Sequence, residues 1–214
     1  MAKLDELKNL EAEIAADRNL PLRESNLVFG EGSPDAEVMF IGEAPGFHED
    51  RLGRPFVGMA GKLLDKLLTM VGWDRKDVYI SNIVKRRPPE NRDPLPEEIA
   101  AYKPYLARQI EIINPKAIVP LGRFSMNYFL PEAKISRDQG RVFIYQGRKV
   151  IPMLHPAAAL RQGAFMKTLE ESFKRLPDLI TGHPPAGGPT ISATAEPEKI
   201  PEKKKEPPPM QSLF

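Results

Sequence analysis

The loop after the apolar run Val38–Ile41 carries an unusual density of ionisable side chains. Glu43 comes directly after Gly42, and Glu49 follows Gly46 within the same short segment. Glycine lets the backbone turn tightly and approach a bound molecule closely, and a carboxylate beside it can position a water molecule or accept a proton. The apolar leucine pattern of a helix begins soon afterwards. This arrangement, a glycine-rich loop between a strand and a helix, is typical of ligand sites in open α/β sheets.

Two further polar residues follow apolar runs. Asn82 ends the run that begins at Val78, and His155 stands between the run Val150–Leu154 and Pro156. A carboxamide both donates and accepts hydrogen bonds, and an imidazole can donate to a developing negative charge. We therefore interpret both as site residues. The alternatives are that Asn82 is a turn former at a strand end and that His155 is structural.

The elements that must position these residues alternate between strand and helix. The hydrophobic pattern predicts helices over residues 4–16, 58–71, 96–113, 123–130 and 164–176 and strands over residues 37–41, 78–84, 116–121, 142–145 and 149–154. Strands that alternate with helices indicate a mainly parallel sheet covered on both faces.

Length and composition suggest one catalytic domain followed by a tail. The 214 residues are 41% hydrophobic, which is enough for a sizeable core. We expect the domain to cover residues 1–181 and residues 182–214, rich in Pro, Lys and Glu, to form a disordered tail. No signal-peptide stretch or membrane-spanning run is present, so a cytoplasmic protein is expected. A net charge of +2 is too small to prove nucleic-acid binding.

Several motifs, in order, carry a resemblance to a known family. They are GEAPG, GRPFVG and AGKLLD in the first loop and helix, then YISNIVKRRPPENR, PKAIVPLG and MLHPAAALR. Together they resemble the family 4 uracil-DNA glycosylases, the iron–sulfur type of bacteria and archaea. The resemblance implies a three-layer α/β/α sandwich, a bacterial or archaeal origin, and hydrolysis of the bond between uracil and deoxyribose in DNA as part of base excision repair.

The resemblance also implies roles for the pocket residues. Asn82 would read the uracil edge, Phe56 would stack on the base, and His155 would donate to uracil O2 as the bond to the sugar breaks. Core packing is the alternative for Phe56. Gly42 and Gly46 would bring the backbone against the base.

Two carboxylates compete for the attacking water. The resemblance favours Glu43, because related families carry Asp or Asn at this position, and Glu49 is the competitor. Asn91, in the segment PPENR, resembles a family asparagine that pairs with the motif glutamate. Glu43 and Asn91 are therefore expected to act together.

Four residues are expected to contact DNA. Leu160 would fill the gap left by the flipped base, and Arg161 would approach a phosphate. Lys85 and Arg87 belong to a basic cluster that would attract the DNA backbone.

One part of the family pattern is absent. Members of the family hold a four-iron cluster with four cysteines, and this chain has no cysteine. Alignment of the motifs puts Asp17, Leu20, Arg86 and Tyr102 at the ligand positions, so we expect no iron–sulfur cluster and no other metal. In its place Asp17 would pair with Arg86, and Leu20 would pack against Tyr102.

The sequence thus predicts a monomeric, monofunctional uracil-DNA glycosylase that leaves an abasic site. One alternative is a glycosylase for other deaminated bases. The other is a module that binds uracil-containing or damaged DNA without turnover. The ending PPPMQSLF partly resembles clamp-binding peptides, so Met210, Leu213 and Phe214 are expected to contact a bacterial sliding clamp.

Overall fold

The central strand of the sheet is buried on both faces. In β2 (Val38–Gly42), Phe40 packs into one hydrophobic core, whereas Met39 and Ile41 pack into the other. Because successive side chains of a strand point to opposite faces, an uninterrupted apolar run requires cover on both sides. The protein, represented by a computed structural model, is described over residues 2–182.

Six strands form one mixed sheet in the order β1-β3-β2-β4-β6-β5. The strands β3, β2, β4 and β6 are parallel, and the edge strands β1 and β5 each pair antiparallel to a neighbour. Besides β2, the strands are β1 (Glu31–Gly32), β3 (Tyr79–Asn82), β4 (Ala117–Pro120), β5 (Phe143–Tyr145) and β6 (Arg148–Val150). The carboxyl ends of the parallel strands therefore meet at one edge, where ligands bind in open α/β sheets.

Helices cover both faces of this sheet. The helices are α1 (Lys3–Ala16), α2 (Phe47–Leu52), α3 (Met59–Met70), α4 (Pro96–Ile113), α5 (Arg123–Phe129), α6 (Ile135–Asp138), α7 (Pro156–Arg161) and α8 (Gly163–Thr181). Buried residues of α1, α4 and α5 share the core on one face, and those of α3, α7 and α8 share the core on the other. The predicted α/β sandwich with a mainly parallel sheet is confirmed.

The short elements are the ones that the sequence pattern missed. The first glycine loop contains α2, His155 is followed by α7, and β1 adds a short antiparallel edge. The tail prediction and the clamp-binding residues Met210, Leu213 and Phe214 lie outside the described residues. Within residues 2–182, no helix is both long and apolar enough to cross a membrane.

Candidate active site

A cavity of about 370 Å³ opens at the carboxyl edge of the sheet. Gly42 at the end of β2 is paired in register with Asn82 at the end of β3, so both loops leave the sheet side by side. His155 lies two residues after Met153, which forms a parallel β-bridge with Leu121 just after β4. The predicted residues that line the cavity are Glu43, Gly46, Glu49, Phe56, Asn82, Asn91, His155 and Arg161.

Gly42 lets two pocket side chains meet beneath the cavity. A Cβ atom at this position would lie 2.4 Å from Asn82 Oδ1 and 2.6 Å from Phe56 Cζ. Asn82 is only 2% exposed, and within residues 2–182 its side-chain amide has no hydrogen-bond partner. The amide therefore presents a free acceptor and a free donor to the cavity.

Replacing Gly42 with alanine should disable the pocket with little loss of the fold. The added methyl group must displace the Asn82 amide or the Phe56 ring, and misplacement by about 1 Å can cost about 10²-fold in rate. We expect a loss of that size in the rate of base excision, measured on a short DNA duplex. Gly163→Ala is the matched control, because a Cβ there meets no atom within 4 Å. Full activity in Gly42→Ala would contradict the described pocket geometry.

Phe56 is held in an unusual backbone conformation. Its φ angle is 51°, a left-handed value that is uncommon for a residue with a side chain. Arg75 donates from Nη1 to the Phe56 carbonyl at 2.8 Å and also binds the Pro55 carbonyl. Gly61 leaves room for the same carbonyl, since a Cβ there would lie 1.8 Å from Phe56 O. These contacts fix the ring against His155, with centroids 5.7 Å apart.

His155 is a neutral histidine with a defined tautomer. It caps the amino terminus of α7, where its Nδ1 accepts a hydrogen bond from the Ala157 backbone N–H at 3.1 Å. Burial lowers the pKa of His155 to about 4, although the Glu49 charge opposes this effect. Because Nδ1 accepts, the single proton of the neutral ring is on Nε2. The imidazole can therefore donate a hydrogen bond to a ligand without carrying a charge.

The two carboxylates occupy different environments. Burial raises the pKa of Glu43 to about 7, with the Asp93 charge adding to the effect and Arg123 opposing it. Within the described residues, no hydrogen bond reaches the Glu43 carboxylate. By contrast, Glu49 accepts from the backbone N–H groups of Val57 and Gly58 at 2.8 Å each and from that of Gly46 at 3.1 Å.

Their contacts suggest different tasks for the two groups. Glu49 joins the beginning of α2 to the loop before α3, and both of its oxygens are already used. Glu43 has free oxygens and a raised pKa, which suits a group that binds water and accepts a proton. The structure has no hydrogen bond for the expected pairing of Glu43 with Asn91, and Asn91 Oδ1 accepts from Arg87 Nε at 2.7 Å. Asn91 nevertheless lines the same cavity.

One of the predicted DNA contacts is wrong. Lys85 is fully buried, so it cannot reach a phosphate from its described position. A run of basic residues usually forms a solvated surface, but Lys85 lies in the buried segment that follows β3. Arg87 is half-buried, Leu160 is exposed and Arg161 lines the cavity, so these three remain available to DNA.

Two arginines near the cavity were not assigned to the site from the sequence. Arg92 lines it and forms an ion pair with Glu98. Arg75 positions Phe56, and its other contacts are with Glu31 and Asp65. Arg75 carries no local signal, because its partners lie 10 to 44 residues away along the chain. Arg92 belongs to the same basic cluster as Lys85 and Arg87, which the sequence indicated only as a surface for DNA.

The four positions that the resemblance assigns to cluster ligands do not fit an iron–sulfur cluster. Tyr102 is completely buried and donates from its hydroxyl to the Pro21 carbonyl at 2.9 Å, and the Arg86 guanidinium donates to the Ser25 carbonyl. A buried cation, a phenol and the apolar Leu20 cannot replace thiolate ligands. Residues 2–182 contain no group of three or more His, Cys, Asp or Glu side chains that could hold a metal ion.

The side chains at these four positions contact other residues of the protein. Leu20 and Tyr102 belong to the same buried hydrophobic cluster, and direct packing of one against the other stays a prediction. Asp17 accepts from the Tyr105 hydroxyl at 2.6 Å and from the Asn19 backbone at 2.9 Å. The ion pair between Asp17 and Arg86 stays a prediction.

Truncation of Tyr102 should destabilise the protein strongly. Tyr102→Ala removes a fully buried ring and should lower the free energy of unfolding by about 3 kcal/mol or more. Tyr102→Phe keeps the ring and loses only the hydrogen bond to Pro21, so about 1 kcal/mol is expected. Urea unfolding of both variants measures the difference. A loss below about 1 kcal/mol for Tyr102→Ala would show that the ring does not replace the missing cluster as a stabilising element.

Comparison with known proteins identifies relatives along most of the chain. A family model described as the uracil DNA glycosylase superfamily matches residues 29–179. The Type-4 uracil-DNA glycosylase of Sulfurisphaera tokodaii is 44% identical over 188 residues, which cover 82% of this chain and 86% of that protein. The Type-4 uracil-DNA glycosylase of Thermotoga maritima is 50% identical over 145 residues, or 66% and 76% of the two chains. A Type-5 uracil-DNA glycosylase of Thermus thermophilus is 33% identical over 116 residues, or 47% and 52%.

Proposed function

Because the chain belongs to the uracil-DNA glycosylase superfamily, we propose that it hydrolyses the bond between uracil and deoxyribose in DNA and leaves an abasic site. The observation that carries this proposal is the convergence of the Asn82 amide, the Phe56 ring and the His155 imidazole on one cavity. The proposed enzyme acts in base excision repair, without the iron–sulfur cluster that the family resemblance implies.

Asn82 provides the selection for uracil. A carboxamide can accept from uracil N3–H and donate to O4, whereas cytosine presents the opposite polarity at both positions. A bound cytosine would leave buried polar groups unpaired, which costs about 1–3 kcal/mol for each group. Phe56 supplies a flat apolar surface for the base, and its fixed backbone supports a single orientation of the ring.

His155 stabilises the departing base. Negative charge develops on uracil O2 as the glycosidic bond breaks, and the Nε2–H of a neutral imidazole can donate to that oxygen. The low pKa keeps this histidine neutral at physiological pH, so it acts as a fixed dipole and not as an acid. A donor that is already oriented needs no reorganisation during the reaction.

Glu43 positions the attacking water. Its carboxylate can accept a hydrogen bond from water and stabilise the positive charge that develops on the sugar. The described residues that line the cavity include no lysine, which supports attack by water and a monofunctional hydrolase. Glu49 holds the loop in place by accepting hydrogen bonds from backbone N–H groups. Asn91 lines the same cavity.

This assignment predicts a pH dependence that belongs to Glu43. The carboxylate ionises at about pH 7, so excision should become faster between about pH 6 and pH 8 as the active form accumulates. Glu43→Gln should lower the rate by about 10²-fold or more and remove this rise. Single-turnover rates across the pH range measure both effects. A rise that persists unchanged in Glu43→Gln would assign the titration to another group.

Three residues are proposed to contact DNA. Leu160 is exposed on α7 and can enter the gap that the flipped nucleotide leaves, while Arg161, which lines the cavity, and Arg87 can bind phosphates. Flipping the base into the cavity is required because the glycosidic bond inside a duplex is not accessible to the site. The proposed substrate is therefore uracil-containing DNA. We expect the protein to bind it as a monomer.

The direct test uses a labelled oligonucleotide with one uracil. After incubation with the protein, alkali cleaves any abasic site, and the proposal predicts strand scission that a thymine-containing control does not show. Parallel substrates with hypoxanthine or xanthine test the broader glycosylase, since equal cleavage would replace the uracil-specific assignment. Binding of the uracil oligonucleotide without scission above a blank would indicate a non-catalytic module.

A further inference from the structure

Lys85 is a buried lysine for which the proposed mechanism has no use. Lys85 lies in the segment that follows β3, and its side chain is completely buried. Its Nζ donates to Ser81 Oγ at 2.6 Å, Gln109 Oε1 at 2.6 Å and the Asn82 carbonyl at 2.9 Å. Among the described residues, no carboxylate lies within ion-pair distance of this group. An unpaired buried cation is costly, so its retention calls for a physical reason.

The three acceptors match the three N–H bonds of an ammonium group. Burial lowers the pKa of Lys85 to about 7, while the acceptors stabilise the charged form. If this charge assists the reaction, its loss above about pH 7 opposes the rise in rate that Glu43 produces, and that rise should be larger in Lys85→Gln. The acceptors are themselves held in place, because Gln109 Nε2 donates to the Phe29 carbonyl and the Tyr79 hydroxyl and Ser81 Oγ donates to the Phe29 carbonyl. The side chains of Ser81 and Gln109 in this network are fully buried.

The network of Lys85 contacts the cavity through Asn82. The carbonyl that accepts from Lys85 belongs to Asn82, the residue whose side chain enters the cavity. We infer that Lys85 is a positioning residue for base release: it fixes the Asn82 peptide and supplies positive potential behind the departing uracil anion. This inference rests on the proposed function. In a buried region of low dielectric, a positive charge acts over a longer range than it does in water.

Two variants remove the positive charge in different ways. Lys85→Gln deletes the cation but keeps N–H donors, and Gln109→Glu keeps the lysine but places a negative charge against it. The new carboxylate of Gln109→Glu can accept from Lys85 Nζ and from the Tyr79 hydroxyl, but it cannot donate to the Phe29 carbonyl as Gln109 Nε2 does. That structural loss should appear in the thermal midpoint, whereas an electrostatic role of Lys85 predicts a fall in the maximal rate of the folded variant.

Lys149→Gln is the matched control. Lys149 Nζ also donates to three oxygens, the carbonyls of Leu179, Ile180 and Gly182, and its partners lie at the end of α8. Lys149 does not line the cavity. Its replacement removes a similar set of contacts and should leave excision unchanged.

The experiment measures single-turnover excision of uracil from a duplex at saturating and subsaturating protein, together with the thermal midpoint of each intact variant. Both Lys85→Gln and Gln109→Glu should lower the maximal rate by about tenfold, less than the loss of a direct oxyanion donor, and change the half-saturating concentration by less than about twofold. If Lys85→Gln does not fold, Gln109→Glu decides the question. Maximal rates within about twofold of the wild type in the folded variants would overturn this inference and leave the proposed function standing. An inactive wild type would contradict the proposed function, and the inference with it.

Discussion

Asn82→Ala should lower uracil excision by about 10²–10³-fold, because it removes the buried side-chain amide that the cavity offers to the base. The loss should appear in the maximal rate as well as in kcat/KM, since contacts to the base strengthen while negative charge develops on it. Single-turnover kinetics on a uracil-containing duplex measures both quantities. Full activity would refute the assignment of the pocket.

A second substitution at the same position tests the polarity of recognition. Asn82→Asp replaces the amide donor by an acceptor, which can bind the cytosine amino group. We expect weaker excision of uracil and detectable excision of cytosine from a matched oligonucleotide. Asn127→Asp is a suitable control, because Asn127 lies in α5, does not line the cavity, and donates only to backbone carbonyls of the loop that follows this helix. Cytosine release by that control would point to a non-specific effect.

His155→Ala should lower the rate of excision by about 10²–10³-fold while leaving DNA affinity nearly unchanged. The imidazole donates mainly in the transition state, so its removal should affect the chemical step more than binding. Rates come from single-turnover assays, and affinity comes from titration of a labelled abasic duplex. Equal losses in rate and affinity would indicate that the histidine is structural.

The pH profile adds a second criterion for His155. Its pKa of about 4 lies far below physiological pH, so the neutral imidazole is already fully formed above about pH 5. The rise in rate near pH 7 should therefore persist in His155→Ala at a lower level, because it belongs to Glu43. His48→Ala serves as the control, since His48 is exposed on α2 and does not line the cavity.

The long elements and the strand-end residues could be predicted from the sequence. The helix Pro96–Ile113 was predicted with the observed bounds, since a proline opens it and its apolar period is regular. Asn82 and His155 were recognisable because each ends an apolar run. The helix α7 is too short for a period to appear, although Pro156 at its first position was an available signal.

The roles of the two glutamates could not be separated from the sequence. Glu43 and Glu49 lie in one loop, and only the folded chain shows that Glu49 is bound by the backbone N–H groups of Val57 and Gly58. These partners are eight and nine residues away, beyond the reach of any local pattern. Lys85 was misassigned for a similar reason, because its partner Gln109 belongs to a helix 24 residues further along the chain.

The contacts at the positions that the resemblance assigns to cluster ligands could be predicted only in part from the sequence. The absence of cysteine was evident from the sequence, and so was the loss of the thiolate ligands. What fills the space depends on contacts between distant segments, such as Tyr102 with the Pro21 carbonyl. The sequence analysis expected Asp17 to pair with Arg86, but the hydroxyl of Tyr105, one turn along α4 from Tyr102, also binds Asp17.

The central claim is that this chain excises uracil although it cannot bind an iron–sulfur cluster through cysteine. One measurement addresses both parts: the iron content of the purified protein, together with the amounts of free uracil and abasic sites formed from a single-uracil duplex. The account predicts equal amounts of uracil and abasic sites from a preparation with no iron above the buffer level. Absence of free uracil, or uracil release that follows the iron content of the preparation, would contradict it.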